Sequence, residues 1–105
     1  MPEATRKLAA IVFTDIVGFT KLTARNEPAA LALLETQRAL LKPIVEAHGG
    51  EWLKELGDGL LLTFTTTTEA VDCSIEIQHT IKKVENLDLR IGIHQGEVVV
   101  SGGDV

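Results

Sequence analysis

The chain is 105 residues long, 45% hydrophobic, and carries a net charge of −5. That length supports one domain around one core, and the absence of a long unbroken apolar run argues against a membrane-spanning segment. An acidic balance with no basic stripe argues against general nucleic-acid binding, so an anionic ligand has to be recognised locally, with a cation offsetting its charge. The single cysteine, Cys73, cannot form an internal disulfide, which fits a reducing, cytoplasmic compartment. No secretory signal is visible, because the apolar stretch after Arg6 and Lys7 is short and ends at Asp15.

The first predicted element is a strand from Leu8 to Thr14, apolar and β-rich, read as buried on both faces. Asn26-Glu27-Pro28 has the composition of a helix start. The helix predicted from Pro28 to His48 places Leu31, Leu34, Leu41, Ile44, Val45 and His48 on its apolar side and stops at Gly49-Gly50, with a kink or short break at Pro43. Trp52 to Leu56 and Leu60 to Thr66 read as a hairpin around Gly57-Asp58-Gly59. The five threonines between Thr63 and Thr68 read as a strand end running into a helix N-cap.

A second helix, from about Glu69 to Val84, carries the stripe Ala70, Cys73, Ser74, Ile77, Ile81, Val84, so Cys73 reads as core packing. Asn86 is expected to end it. Leu87 to His94 alternates as a strand, and Glu97 to Val100 is expected as another after Gln95-Gly96. Strand, helix, strand, strand, helix, strand is the α+β order called ferredoxin-like, a split βαβ with an antiparallel sheet and helices on one face.

In that topology the first and third strands are central neighbours, so the end of the first strand, at Asp15, comes close to the hairpin turn at Asp58. Asp15 is followed by Ile16-Val17-Gly18-Phe19-Thr20, a turn whose glycine lets backbone N–H groups approach an anion. Each motif alone is ordinary turn chemistry, but two converging carboxylates repel unless a cation lies between them. Magnesium or manganese, with hard oxygen ligands and one or two protein carboxylates, suits such a pair. Lys54, four residues before Asp58, is either a solvated strand lysine or a donor to a base. Trp52 is expected to pack beneath the helices.

Three segments together resemble the catalytic domain of class III adenylate/guanylate cyclases: Phe13-Thr14-Asp15-Ile16-Val17-Gly18-Phe19-Thr20, then Gly49-Gly50 with Lys54-Glu55-Leu56-Gly57-Asp58-Gly59, then Ile91-Gly92-Ile93-His94-Gln95-Gly96-Glu97-Val98. The resemblance implies that Asp15 and Asp58 bind two metal ions, with the Ile16 carbonyl as a further ligand. It implies that Val17, Gly18, Phe19 and Thr20 contact the nucleotide phosphates, and that Lys54, with Asp104, selects adenine over guanine. The implied reaction is conversion of ATP to 3′,5′-cyclic AMP and pyrophosphate by two-metal catalysis, at sites shared across a homodimer.

The family pattern continues past Asp104 into a helix bearing an asparagine and an arginine, and none of Arg6, Arg25, Arg38 and Arg90 matches that motif position. The chain is therefore expected to be a truncated nucleotidyl cyclase catalytic domain over residues 1–105, with little or no activity by itself. A non-catalytic metal- and nucleotide-binding module, or an engineered core of the fold, is the alternative. A single-stranded nucleic-acid binder is disfavoured by the sparse aromatics and negative charge. A diguanylate cyclase is disfavoured because Gly102-Gly103-Asp104 is followed by Val105.

Overall fold

The computed structural model describes residues 5–100. The elements in chain order are β1 (Thr5–Ile16), α1 (Phe19–Arg25), α2 (Glu27–Ala47), β2 (Glu51–Leu56), β3 (Gly59–Phe64), α3 (Thr67–Ile81) and β4 (Leu89–Val100). The strands form one antiparallel sheet in the order β2-β3-β1-β4. This is the expected ferredoxin-like α+β architecture.

Helix α1 was not expected. Its N-cap is Gly18 in the left-handed conformation, φ 76, with no side-chain cap, so the start motif that marks most helices is missing. Asn26 alone separates α1 from α2. Its backbone N–H caps the carbonyl of Leu22 and its Oδ1 accepts the N–H of Ala29 at 3.1 Å, with a proline in the first turn. Helix α2 is continuous through Pro43, so of the expected kink or short break the break does not form. Its buried positions are Ala30, Leu33, Gln37, Leu41, Ile44 and Val45. The expected stripe was therefore one residue out of phase at its start, and Leu31 is 56% exposed.

The chain leaves α2 through Gly49, at φ 75, and Gly50. A Cβ at Gly50 would run into the Phe64 ring, so only glycine lets β2 begin this close to β3. The hairpin closes with Leu56 opposite Gly59, and Gly57 has φ 65 at the first of two turn positions, the type II′ arrangement. Helix α3 starts at a complete capping box: Thr66 Oγ1 accepts the Glu69 N–H at 3.1 Å while Glu69 Oε1 accepts the Thr66 N–H at 3.2 Å. It ends at Ile81 rather than Val84, and Asn86, at φ 67, turns the chain toward β4. The two strands expected at the end are one continuous β4, because Gln95 and Gly96 keep pairing with Ala10 and Ala9.

The helices cover one sheet face. Val12, Leu62, Phe64, Leu41, Val45, Cys73 and Ile77 lie at the centre of the core, and burial pushes the Cys73 thiol up to about 11. The opposite face is open, with Phe13 50% and Leu56 61% exposed. Strand β1 is thus not buried evenly on two faces: Ala10, Val12, Thr14 and Ile16 point into the core, while on the other face Ala9 is covered, Ile11 is partly exposed and Phe13 is exposed.

Candidate active site

At the end of β1 the chain lines a cleft of about 500 Å³ with Asp15 to Lys21, Asp58 and Arg90. Asp15 and Asp58, 43 positions apart, meet here because β1 pairs with β3 and the β2–β3 turn stands at the end of β1. The Asp58 carboxylate is fixed through Oδ2, which accepts the Ile16 N–H at 2.9 Å. The turn's backbone is approached from α2, where Gln37 Nε2 donates to the Asp58 carbonyl at 3.5 Å.

Asp15 is held differently. Arg90, its direct partner across β1 and β4, donates Nε to Oδ1 at 2.8 Å and Nη2 to Oδ2 at 3.1 Å. The guanidinium thus partners Asp15 from the β4 side while Asp58 stands on the β3 side of β1, and hydrogen bonding and charge from Asp15, with a lesser contribution from Asp58, raise the Arg90 pKa. Arg90 matches no motif position in the sequence. The cross-strand register Asp15–Arg90 is the feature that would have revealed it.

The loop after Asp15 is pinned by the Val17 N–H donating to the Asp88 carbonyl at 2.8 Å, and Gly18 at φ 76 turns it into α1. Val17 and Gly18 are exposed, Phe19 is half-buried against the core and Thr20 is exposed. The loop offers backbone N–H groups in a left-handed turn near a guanidinium, donors suited to phosphate oxygens, while the two carboxylates beside them tolerate an anion only with a cation between.

The donors suit a hard divalent ion. Asp15 and Asp58 supply carboxylate oxygens on one cleft, and among the described residues no group of three His, Cys, Asp or Glu side chains converges as a cage. A small ion that keeps water and substrate phosphates in its shell needs no such cage.

Lys54 lies outside this cleft. It pairs with Leu61, which is opposite Phe13 in β1, so it stands on the open sheet face two strands away from β1. A β-bulge between Trp52 and Lys54 produces this separation. Strict alternation would put both side chains on one face. Instead Trp52 turns to the helix side, where the Lys42 Nζ sits 5.7 Å from its ring centroid. Glu55 faces α2 too, in a two-pronged pair with Arg38 at 2.7 Å, whose hydrogen bond holds the Glu55 carboxyl below its usual range. Asp104 falls outside the described residues.

A four-stranded antiparallel sheet with three helices on one face, two acidic side chains at the end of its first strand and a glycine turn beside them, defines a domain of the nucleotidyl cyclase type. Comparison bears this out: residues 1–103 match the adenylate and guanylate cyclase catalytic domain family, to which the chain belongs. It is 34% identical over 105 residues to an adenylate cyclase of Streptomyces coelicolor, covering 98% of this chain and 28% of that protein. Among solved structures, an adenylate/guanylate cyclase/hydrolase from Silicibacter pomeroyi superposes with a TM-score of 0.85 at 34% identity, over 97% of this chain and 64% of that one. The guanylyl cyclase Cya2 superposes with a TM-score of 0.84 at 27% identity, over 94% of this chain and 58% of that one. The chain thus spans about a quarter of the curated relative and about three-fifths of these solved chains. Among the described residues no helix is long and apolar enough to cross a membrane.

Proposed function

We propose that this domain supplies the metal seat, the phosphate loop and the base-selecting lysine of a site that converts ATP to 3′,5′-cyclic AMP and pyrophosphate. The observation that carries the reading is the convergence of Asp15 and Asp58 on one cleft beside the Val17–Thr20 turn. Asp15, Asp58 and the Ile16 carbonyl would hold two magnesium or manganese ions. Bound there, the ions would lower the pKa of the ribose 3′-hydroxyl and neutralise triphosphate charge as the hydroxyl oxygen bonds to the α-phosphorus and the bond to pyrophosphate breaks. Asp58 comes preorganised by the Ile16 N–H.

Arg90 has to leave Asp15 for an ion to enter. The displaced guanidinium is then a free phosphate fork at the mouth of the same cleft. Lys54, two strands away on the open face, reaches a base only if a second copy brings its own cleft against that face, so a homodimer with shared sites follows from this assignment. Asp104 would assist in base selection. An ATP-consuming domain of this kind belongs in the cytoplasm.

The engagement of both Asp15 oxygens by Arg90 favours a second reading, a module that binds metal and nucleotide without turnover. One experiment separates the two: calorimetric titration with Mn²⁺ and ATP, followed by an assay for cyclic AMP. The proposal expects ATP binding that requires Mn²⁺ and weakens by roughly tenfold or more in Asp15→Asn and Asp58→Asn, with cyclic AMP formed only slowly, since residues 1–105 by themselves are expected to turn over little. Binding without product establishes the module. Binding indifferent to both aspartates overturns the metal seat in either reading.

A further inference from the structure

The buried stripe of α2 contains one polar residue. Gln37 lies between Leu33 and Leu41 at a position where the helical period places core side chains, and it is 3% exposed. Its Nε2 donates to the carbonyl of Asp58 at 3.5 Å, and its buried Oε1 has no hydrogen-bond partner. An unpaired buried amide oxygen carries a desolvation penalty that a methionine or leucine here would avoid. What an apolar side chain would lose is the contact with the Asp58 turn.

That turn is held from two sides. The Ile16 N–H of β1 takes the carboxylate of Asp58 at 2.9 Å, and Gln37 of α2 takes its carbonyl. The next residue, Gly59, approaches β1 so closely that a Cβ would lie 2.8 Å from the Thr14 carbonyl. Residue 58 is therefore clasped between a strand and a helix rather than standing free on a hairpin tip. At 3.5 Å the Gln37 bond is long, a tether with slack rather than a clamp.

We propose that Gln37 is a positioning residue that holds the Asp58 turn, and with it the Asp58 carboxylate, at the height from which it faces the cleft. The consequence for an ion rests on the reading of Asp58 as a metal ligand. The hold on the turn does not.

The test compares the wild-type chain with Gln37→Met, which keeps the side-chain length and removes the amide, and with Gln37→Asn, which keeps the amide and shortens its reach. Hydrogen exchange at the Ile16 amide reports directly on the seating of Asp58, and Asp58→Ala sets the value for complete loss. The expected result is Ile16 exchange faster by about three- to tenfold in Gln37→Met, with the exchange of core amides and the thermal midpoint unchanged or improved. Unchanged Ile16 exchange overturns the proposal, as does acceleration shared by all core amides, which marks a merely structural role. If Gln37→Met does not fold, Gln37→Asn is judged by the same comparison. In a parallel Mn²⁺ titration, the dissociation constant is expected to rise about fivefold in Gln37→Met. An unchanged constant alongside faster Ile16 exchange overturns the service to the ion. If the wild-type chain takes up no Mn²⁺, the metal reading of Asp58 has failed, and Ile16 exchange still decides the hold.

Discussion

The helix-covered face of the sheet and its open face are built from alternate residues of the same strands, yet they do different work. On the covered side Val12, Leu62 and Phe64 are almost completely buried. On the open side the same strands present Phe13 and Leu56, both largely exposed, together with Lys54, Asp15 and Arg90. Burial is concentrated on one side, and in the proposed function Lys54, Asp15 and Arg90 act from the other, whereas Asp58 and Ile16 join the two through their contacts with β1 and α2.

Paired truncations in β2 and β3 should break this comparison most visibly. Leu62→Ala is expected to cost about 2–5 kcal/mol by urea unfolding, whereas Leu56→Ala on the open side should stay within about 0.5 kcal/mol. Equal losses would mean that the open face is covered in solution. Next in size, Phe13→Lys should weaken any self-association by about tenfold or more in sedimentation while the monomer's unfolding midpoint moves little. At the start of α3, Thr66→Ala should cost about 1 kcal/mol, since it removes the hydroxyl that accepts the Glu69 N–H while the Thr66 N–H can still donate to Glu69.

The smallest effect concerns Glu55. Its carboxyl is held below the ordinary 4.5 in the folded chain by Arg38, so its contribution is present above that value and is lost as acid carries the pH down through the lower folded value. Because the pair is solvent-screened, the contribution should be under about 1 kcal/mol. The stability gap between wild type and Glu55→Gln should shrink as pH falls from about 6 to about 3.

Where local chemistry carries the information, the sequence is readable. The Gly57-Asp58-Gly59 hairpin, the Thr66 cap and the meeting of Asp15 with Asp58 all follow from turn residues, caps and crossover topology. Helix α1 is hidden because a backbone conformation at Gly18 starts it, with no capping side chain. Gln95-Gly96 resembles a turn and stays extended because β1 supplies a partner at every position. Arg90 and Gln37 are missed for a shared reason: each matters through a residue distant in sequence, Asp15 by cross-strand register and Asp58 by helix phase. Starting the α2 stripe at Ala30 and Leu33 would have exposed Gln37 as the one polar break in it.

The slip in pairing between Trp52 and Lys54 gives β2 an uneven tolerance to changes of length. Leu53 is the residue that the ladder skips. Deleting it would leave Trp52 and Lys54 adjacent, still on opposite faces, and would restore an even ladder. Inserting one residue after Lys54 would invert Glu55 and Leu56 together, turning a carboxylate out from under Arg38 and driving a leucine toward α2. Within six residues of strand, the chain can shorten at one point and cannot lengthen at the next.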